Sequence, residues 1–419
     1  MAKKKEKIVL LGGGFAGLNF CKKMRNKDVD ILLVDRQNHH QFQPLFYQVA
    51  SARIEPSTIS FPFRKGFQNF KNVNFLLAEA QSIDADNKVL QTSEGTVDYD
   101  KLIIATGADT NFFGNEETEK HSLGMKTTFE SISIRNELIL NFEKIMALGE
   151  SADDSYFNIV VVGGGATGVE MAGAFAEMKK HIIPKDYKGI DANRFNIILL
   201  EGSEHTLNAM SEKSKLHSQK YLEQLGVHVR TSIFVSSYDG EFVSLSDGST
   251  IASKIVIWAA GIKGNVVEGL SNARMTKANR FIVDRFNKLD GYEDVYALGD
   301  IAYMETENYP NGHPQVANVA NGQANNLAKN LLSKSSWREY EYKDLGSMAT
   351  IGKYKAVVDL PFMHVKGVIA WLIWMFLHLM LILSARNKLF IFLNWAWSYL
   401  SNDTSLRLIL KSQKHAKKK

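Results

Sequence analysis

The stretch IVLLGGGFAGLNF, residues 8–20, decides the reading of this chain. Its four apolar residues, 8–11, predict a buried strand. The glycines follow as Gly12-x-Gly14-x-x-Gly17, and a helical run continues to about Asn26. In such a turn the first glycine bends the chain out of the strand. The second lets the backbone approach a pyrophosphate, and the third lets the helix pack close on the strand. Phosphates then lie at the helix N-terminus, where unpaired N–H groups and the helix dipole favour an anion. The next apolar strand, residues 29–34, ends at Asp35, placed to accept ribose hydroxyls.

The unit occurs twice. IVVVGGGATG, residues 159–168, gives Gly163-x-Gly165-x-x-Gly168, a helix to about Lys180 and a strand 197–200 ending at Glu201. Its helix-to-strand connection is lengthened by HIIPKDYKGIDANRF. An internal duplication of strand, glycine turn, helix and strand predicts an α/β chain with two Rossmann-like dinucleotide-binding domains. Two such sites imply two different dinucleotides, and the economical pair is FAD with a nicotinamide. Glu201 favours NADH, because a 2′-phosphate would meet a carboxylate. Two smaller signals agree: Ala105-Thr106-Gly107 closes the strand LIIATG, and Asp300 closes ALGD, where it suits a flavin ribityl hydroxyl.

Composition narrows the alternatives. At 419 residues the chain exceeds a single core, and 45% hydrophobic with 23% charged residues excludes wholesale disorder. One cysteine, Cys21, excludes an internal disulfide and a cysteine metal cluster, and no spaced histidine cluster suggests a metal. The net charge of +5 sits at the ends: Lys3, Lys4, Lys5 and Lys7 open the chain, and residues 386–419 carry eight Lys/Arg against Asp403. The body between is mildly acidic, so nucleic acid is not expected. Basic ends beside apolar segments suit an anionic membrane surface. The start runs straight into a strand, and no export signal is visible.

The order GGGFAG, ATG, GGGATG, ALGD resembles the two-dinucleotide flavoprotein disulfide reductase superfamily. Within it, NHHQFQPLFYQVAS (residues 38–51), GGGATGVEMAG (163–173), HPQVANVA (313–320) and LNWAWSYL (393–400) resemble type II NADH dehydrogenases, the single-subunit NADH:quinone oxidoreductases. The resemblance implies FAD and NADH as cofactors and electron transfer to a membrane quinone, menaquinone or ubiquinone, without proton pumping. A homodimer is left open. It places the enzyme on the cytoplasmic face of the inner membrane.

Domain boundaries are expected at 1–115 and 271–345 for the FAD domain, 116–270 for the NADH domain and 346–419 for a membrane-anchoring helical module. The cofactor set expected is Gly12, Gly13, Gly14, Phe15, Ala16, Gly17, Asp35, Arg36, Ala80, Thr106, Gly107, Asp300 and Ala320, with Gly163, Gly165, Gly168, Glu201 and Gly261. Disulfide reductases and sulfide:quinone reductases need a cysteine pair beside the flavin. Cys21, on the first helix, reads instead as a buried structural thiol, so electrons leave the flavin directly to a diffusible acceptor.

Glu170 reads in two ways: an acid in the first helical turn, favoured by the dipole, or the carboxylate that the GVEMAG resemblance links to proton delivery. In the family an Ala-Gln-x-Ala-x-Gln pattern lines the quinone tunnel. Here it reads Ala317-Asn318-Val319-Ala320-Asn321-Gly322, so both glutamines are replaced. Asn318, Gln48 and Gln315 are the expected quinone contacts, with Tyr47 and His40 as further candidates and Gln323 out of register. Because of the replaced glutamines, an oxygen-using NADH oxidase, a reductase of a protein acceptor and a redox-sensing scaffold stay open.

Residues 368–383 are apolar apart from His378, about 24 Å as a helix against roughly 30 Å of hydrocarbon. With the aromatic stretch 389–400 and the lysine tail they suit a helical pair lying in the membrane interface. A short tilted span and a buried core or dimer helix are the alternatives.

Overall fold

The structure, a computed structural model, describes residues 5–402 and 406–409. Lys3, Lys4 and the lysine tail from Lys411 onward lie outside the described residues. The chain forms two compact units. One comprises Met1–Gln41, Phe61–Asp109 and Ile262–Asp344; the other comprises Phe42–Ser60, Thr110–Gly261 and Leu345–Lys419.

The first unit is built on a five-stranded parallel sheet. Its order is Val295–Ala297, Lys101–Ile104, Glu6–Leu11, Val29–Asp35, Val73–Leu77. Its strands are buried on both faces, which is why they read as unbroken apolar runs. The opening strand is central, so the chain turns to opposite sides from its two edges, and the crevice at its C-terminal end is the switch point where such sheets bind ligands. Helix Phe15–Lys23 starts there and packs on helix Ala317–Leu332. It is three residues shorter than the expected run, because Asn26 takes a left-handed conformation (φ 57°) and accepts the Lys71 N–H, turning the chain away.

The second unit repeats the design with four parallel strands in the order Val227–Arg230, Asn196–Leu200, Asn158–Val162, Ile255–Trp258. Helix Ala166–His181 leaves the central strand and is buried along most of its length. An antiparallel sheet, Ser347–Gly352, Lys355–Leu360 and Met363–Lys366, covers that helix. Contact is so close that a Cβ on Gly173 would overlap the Ile351 carbonyl oxygen.

Two helices follow the sheet, Gly367–Leu381 and Ala385–Ser401. The first turns Ala370, Trp371 and Trp374 inward. The second turns Asn387, Ile391, Trp395 and Ser398 inward, at the spacing of one helical face. Their other faces expose Ile369, Leu372, Phe376, Leu393, Trp397 and Leu400. Among the described residues no helix is long and apolar enough to cross a membrane.

Candidate active site: two capped glycine turns and a buried carboxylate

The two glycine turns match atom for atom. Gly12 and Gly163 have positive φ (93° and 107°), and a Cβ on either would run into the end of the neighbouring strand, at Ala105 or at Ala259. A Cβ on Gly17 would overlap the Gly12 carbonyl oxygen, and one on Gly168 that of Gly163. Those four positions need glycine for the protein's own packing. Gly14 and Gly165 do not, since a Cβ there would meet no protein atom within 4 Å. Space left bare at the middle glycine is what a close-approaching pyrophosphate requires.

Each turn is capped by the acid at the end of the following strand. Asp35 accepts the Gly13 N–H (2.6 Å) through one oxygen and the Gln37 N–H (2.7 Å) through the other. Glu201 accepts the Gly164 N–H, and at its second oxygen the Ser203 N–H (2.7 Å) and hydroxyl (2.6 Å). A carboxylate offers about four acceptor sites, so both keep capacity for ribose hydroxyls. Burial outweighs the N–H bonds at Asp35 and holds its carboxyl above the usual range.

Around the first turn, Leu11, Gly12, Asp35, Arg36, Ala80, Thr106 and neighbours line a cavity of about 400 Å³. The Thr106 hydroxyl donates to the Asn265 carbonyl (2.6 Å), and Gly107 has positive φ (71°). His40 holds the Gly13 carbonyl oxygen (3.0 Å), so its Nδ1 carries the proton. Burial pushes its pKa down to about 4, and its ring meets Phe15 edge-on at 5.3 Å. Asp300 lies in a short 3-10 turn, Gly299–Ile301, and not at the strand's last residue. A Cβ on Gly299 would stand 3.3 Å from the Ala320 Cβ and 3.6 Å from the Ala16 Cβ. Gly261 has positive φ (76°) and faces the Phe113 ring.

Glu170 is the fifth residue of helix Ala166–His181, beyond the first turn where it was expected. It is buried, 9% exposed. Burial pushes its carboxyl up to about 8, the opposite of what a helix dipole would do. Two groups draw it down against burial. One is the Thr350 N–H, 3.3 Å from its Oε1. The other is the Trp374 indole N–H, which lies off the geometry of a full hydrogen bond.

The expected quinone contacts divide between the units. Gln315 donates to the Asp300 carbonyl (3.0 Å) and Asn318 to the Lys343 carbonyl (3.1 Å), both in the first unit. Gln48 is in the second, fully buried, with its amide held at both ends: Trp395 donates to its oxygen (2.7 Å), and its NH2 donates to the Tyr47 hydroxyl (2.8 Å). Cys21 is buried, its thiol pushed up to about 12.

Several residues escaped the sequence reading. Gln323 accepts the Gly299 N–H (2.7 Å). Phe234, 65% exposed, lies against Gly202 beside the Glu201 cap. Thr350 and Trp374 reach Glu170 from far along the chain, and no local pattern marks them.

The pyridine nucleotide-disulphide oxidoreductase family model matches residues 6–324, and the NDH2 C-terminal domain matches 345–402. A type II NADH:quinone oxidoreductase of Mycobacterium tuberculosis is 32% identical over 99% of this chain and 92% of its own. One from Staphylococcus aureus is 26% identical over 85% and 90%. Among solved structures, an NDH2 from Plasmodium falciparum in complex with NADH superposes with a TM-score of 0.88. It is 21% identical and covers 97% of this chain and all of that one.

Proposed function

The chain belongs to the pyridine nucleotide-disulphide oxidoreductase family, and from that premise we infer that it is an FAD-dependent enzyme carrying electrons from NADH to a quinone without pumping protons. The observation that carries this reading is the duplication of the acid-capped glycine turn on two parallel sheets of one chain. FAD, when bound, accepts a hydride from NADH and passes two electrons on.

The residues present fit both groups. Gly12, Gly13, Gly14, Phe15, Ala16 and Gly17 would hold the FAD pyrophosphate, with Asp35 on the adenosine ribose. Arg36, Ala80, Thr106, Gly107, Asp300 and Ala320 would complete that site. Gly163, Gly165 and Gly168 would hold the NADH pyrophosphate, with Glu201 on its ribose and Gly261 nearby. By the sequence boundaries, residues 1–115 and 271–345 bind FAD and 116–270 bind NADH.

Quinone reduction consumes two protons, and Glu170 supplies one from a carboxyl that stays protonated near neutrality. Gln48, Gln315 and Asn318 remain the proposed quinone-side residues. Gln48 acts through Tyr47, since its own amide is spent. The exposed apolar faces of the last two helices rest on the membrane surface at the cytoplasmic side, and residues 346–419 form the attachment.

Anaerobic stopped-flow tests the reading. The flavin is reduced with NADH and then offered menaquinone, ubiquinone or oxygen. Fast reoxidation by one quinone is expected. Reoxidation by oxygen alone would overturn it.

A further inference from the structure

Three buried side chains of the second unit form a hydrogen-bonded line whose polarity is fixed from one end. Trp395 can only donate, because an indole nitrogen carries a hydrogen and has no free lone pair. Its N–H reaches Gln48 at 2.7 Å, so that end of the amide is the oxygen. The ambiguity that usually attends a glutamine amide is therefore removed. The opposite end is NH2, and it donates to the Tyr47 hydroxyl oxygen at 2.8 Å. Tyr47 accepts from Gln48, so its own proton points elsewhere.

Glu170 is where it can go. Helix Phe46–Ala50 packs on helix Ala166–His181. The Trp374 ring stands edge-on to Tyr47 at 6.3 Å, and its N–H draws on the Glu170 carboxyl. The Glu170 charge in turn helps keep Tyr47 protonated, second only to burial. We propose that Trp395 and Gln48 are positioning residues that turn the Tyr47 hydroxyl proton toward the Glu170 carboxylate. The direction of a proton beside the acid is thus set by a residue of the NDH2 C-terminal domain. This rests on reading Glu170 as the proton source.

Other groups surround this acid. Tyr399 comes from the last helix, and Arg53 follows the Tyr47 helix and pairs with Glu177 on the Glu170 helix. Lys353, after the strand that supplies Thr350, donates its backbone N–H to Glu177 and its ammonium to the Tyr399 carbonyl and Asn402. His181 on the Glu170 helix faces Glu177 and Lys353, and His378 stacks on Trp374. None of these takes part in the Trp395–Gln48–Tyr47 line, so its removal should be felt at Glu170 without disturbing them.

The test is the Glu170 titration in the full-length holoenzyme, followed by its carboxyl infrared band and assigned with Glu170→Gln. Tyr47→Phe removes the donor and should raise the apparent pKa by about half a unit or more. Trp395→Phe should raise it similarly, and benzothienylalanine at 395, which keeps the shape without the N–H, should reproduce the shift if phenylalanine loosens the core. The double variant should shift no further than Tyr47→Phe alone. An unmoved pKa in Tyr47→Phe, an unmoved pKa with benzothienylalanine, or additive shifts would overturn the proposal. The underlying reading fails separately: Glu170→Gln with wild-type quinone turnover removes the proton-source role even where the pKa coupling is seen.

Discussion

The carboxylate of Asp35 holds the backbone N–H of Gly13 at 2.6 Å, tying the end of one strand to the turn that leaves the strand beside it. Glu201 does the same for Gly164. In both turns the acid has a structural duty before any ribose arrives. Removing it costs the turn its shape as well as the ligand its partner.

Glu201→Ala is therefore a poor probe of NADH preference, because it strands the Gly164 and Ser203 N–H groups. Glu201→Gln keeps an acceptor and removes the charge. It should raise KM for NADH about tenfold, roughly 1.4 kcal/mol, and narrow the preference over NADPH. Steady-state kinetics with both nucleotides measure this, and an unchanged NADH:NADPH ratio counts against Glu201 as the ribose acid.

Glycine substitutions should separate packing from binding. Gly14→Ala meets open space, so the protein should fold with its usual secondary structure yet be purified with little flavin. Gly17→Ala drives a methyl into the Gly12 carbonyl and should cost the fold itself more than about 3 kcal/mol. Circular dichroism and flavin content read the two losses apart. Equal flavin in Gly14→Ala and wild type would move the pyrophosphate elsewhere.

Glu170 makes stability depend on pH. Its carboxyl titrates near 8 when folded, against a model value of 4.5. Between those values the folded state binds the extra proton, so this group's contribution to stability falls as pH rises through the window. Glu170→Gln abolishes the effect. The variant should gain on wild type from pH 5 to pH 8.5, by on the order of 2 kcal/mol at the top. Denaturant melts at the two pH values measure it, and a constant difference would mean the carboxyl is not held protonated. If Glu170 supplies the proton, quinone turnover should also decline above pH 8, and the slowing in Glu170→Gln should exceed any effect on hydride transfer from NADH.

Membrane attachment is best tested by point changes. Truncation after residue 345 would strip the sheet that covers helix Ala166–His181 and uncover Gly173 and Glu170 together. Outward residues offer a cleaner route. Leu372→Ser, Phe376→Ser, Leu393→Ser and Trp397→Ser combined should leave the flavin spectrum intact and lower vesicle binding at least tenfold. Full-length protein should stay on vesicles in 1 M salt, since apolar contact persists when charge is screened. Release by salt alone would mark an electrostatic anchor.

Both Rossmann sheets were legible because each glycine turn is local: strand, turn, helix and acid lie within about forty residues. Asp35 and Glu201 could be named for the same reason. Glu170 could be named but not placed, since its burial comes from Thr350 and Trp374, some two hundred residues away in sequence. Gln48 was read as a group facing substrate, whereas its amide is consumed by Trp395, a partner that sequence spacing cannot reveal. The inward and outward faces of the last two helices were hidden too, because both faces are apolar and periodicity carries no contrast.

Gly322 and Tyr340 share one volume: a Cβ on the glycine would stand 2.5 Å from the phenol oxygen. The two positions are therefore bound together in descent. A lineage holding Tyr340 has no single-step route to a glutamine at 322, because the intermediate is overpacked whichever large residue arrives second. Tyr340 must shrink first, or both must change together. Across homologues, a side chain at the first position should go with a smaller residue at the second, and the replaced glutamine here is one half of a paired exchange.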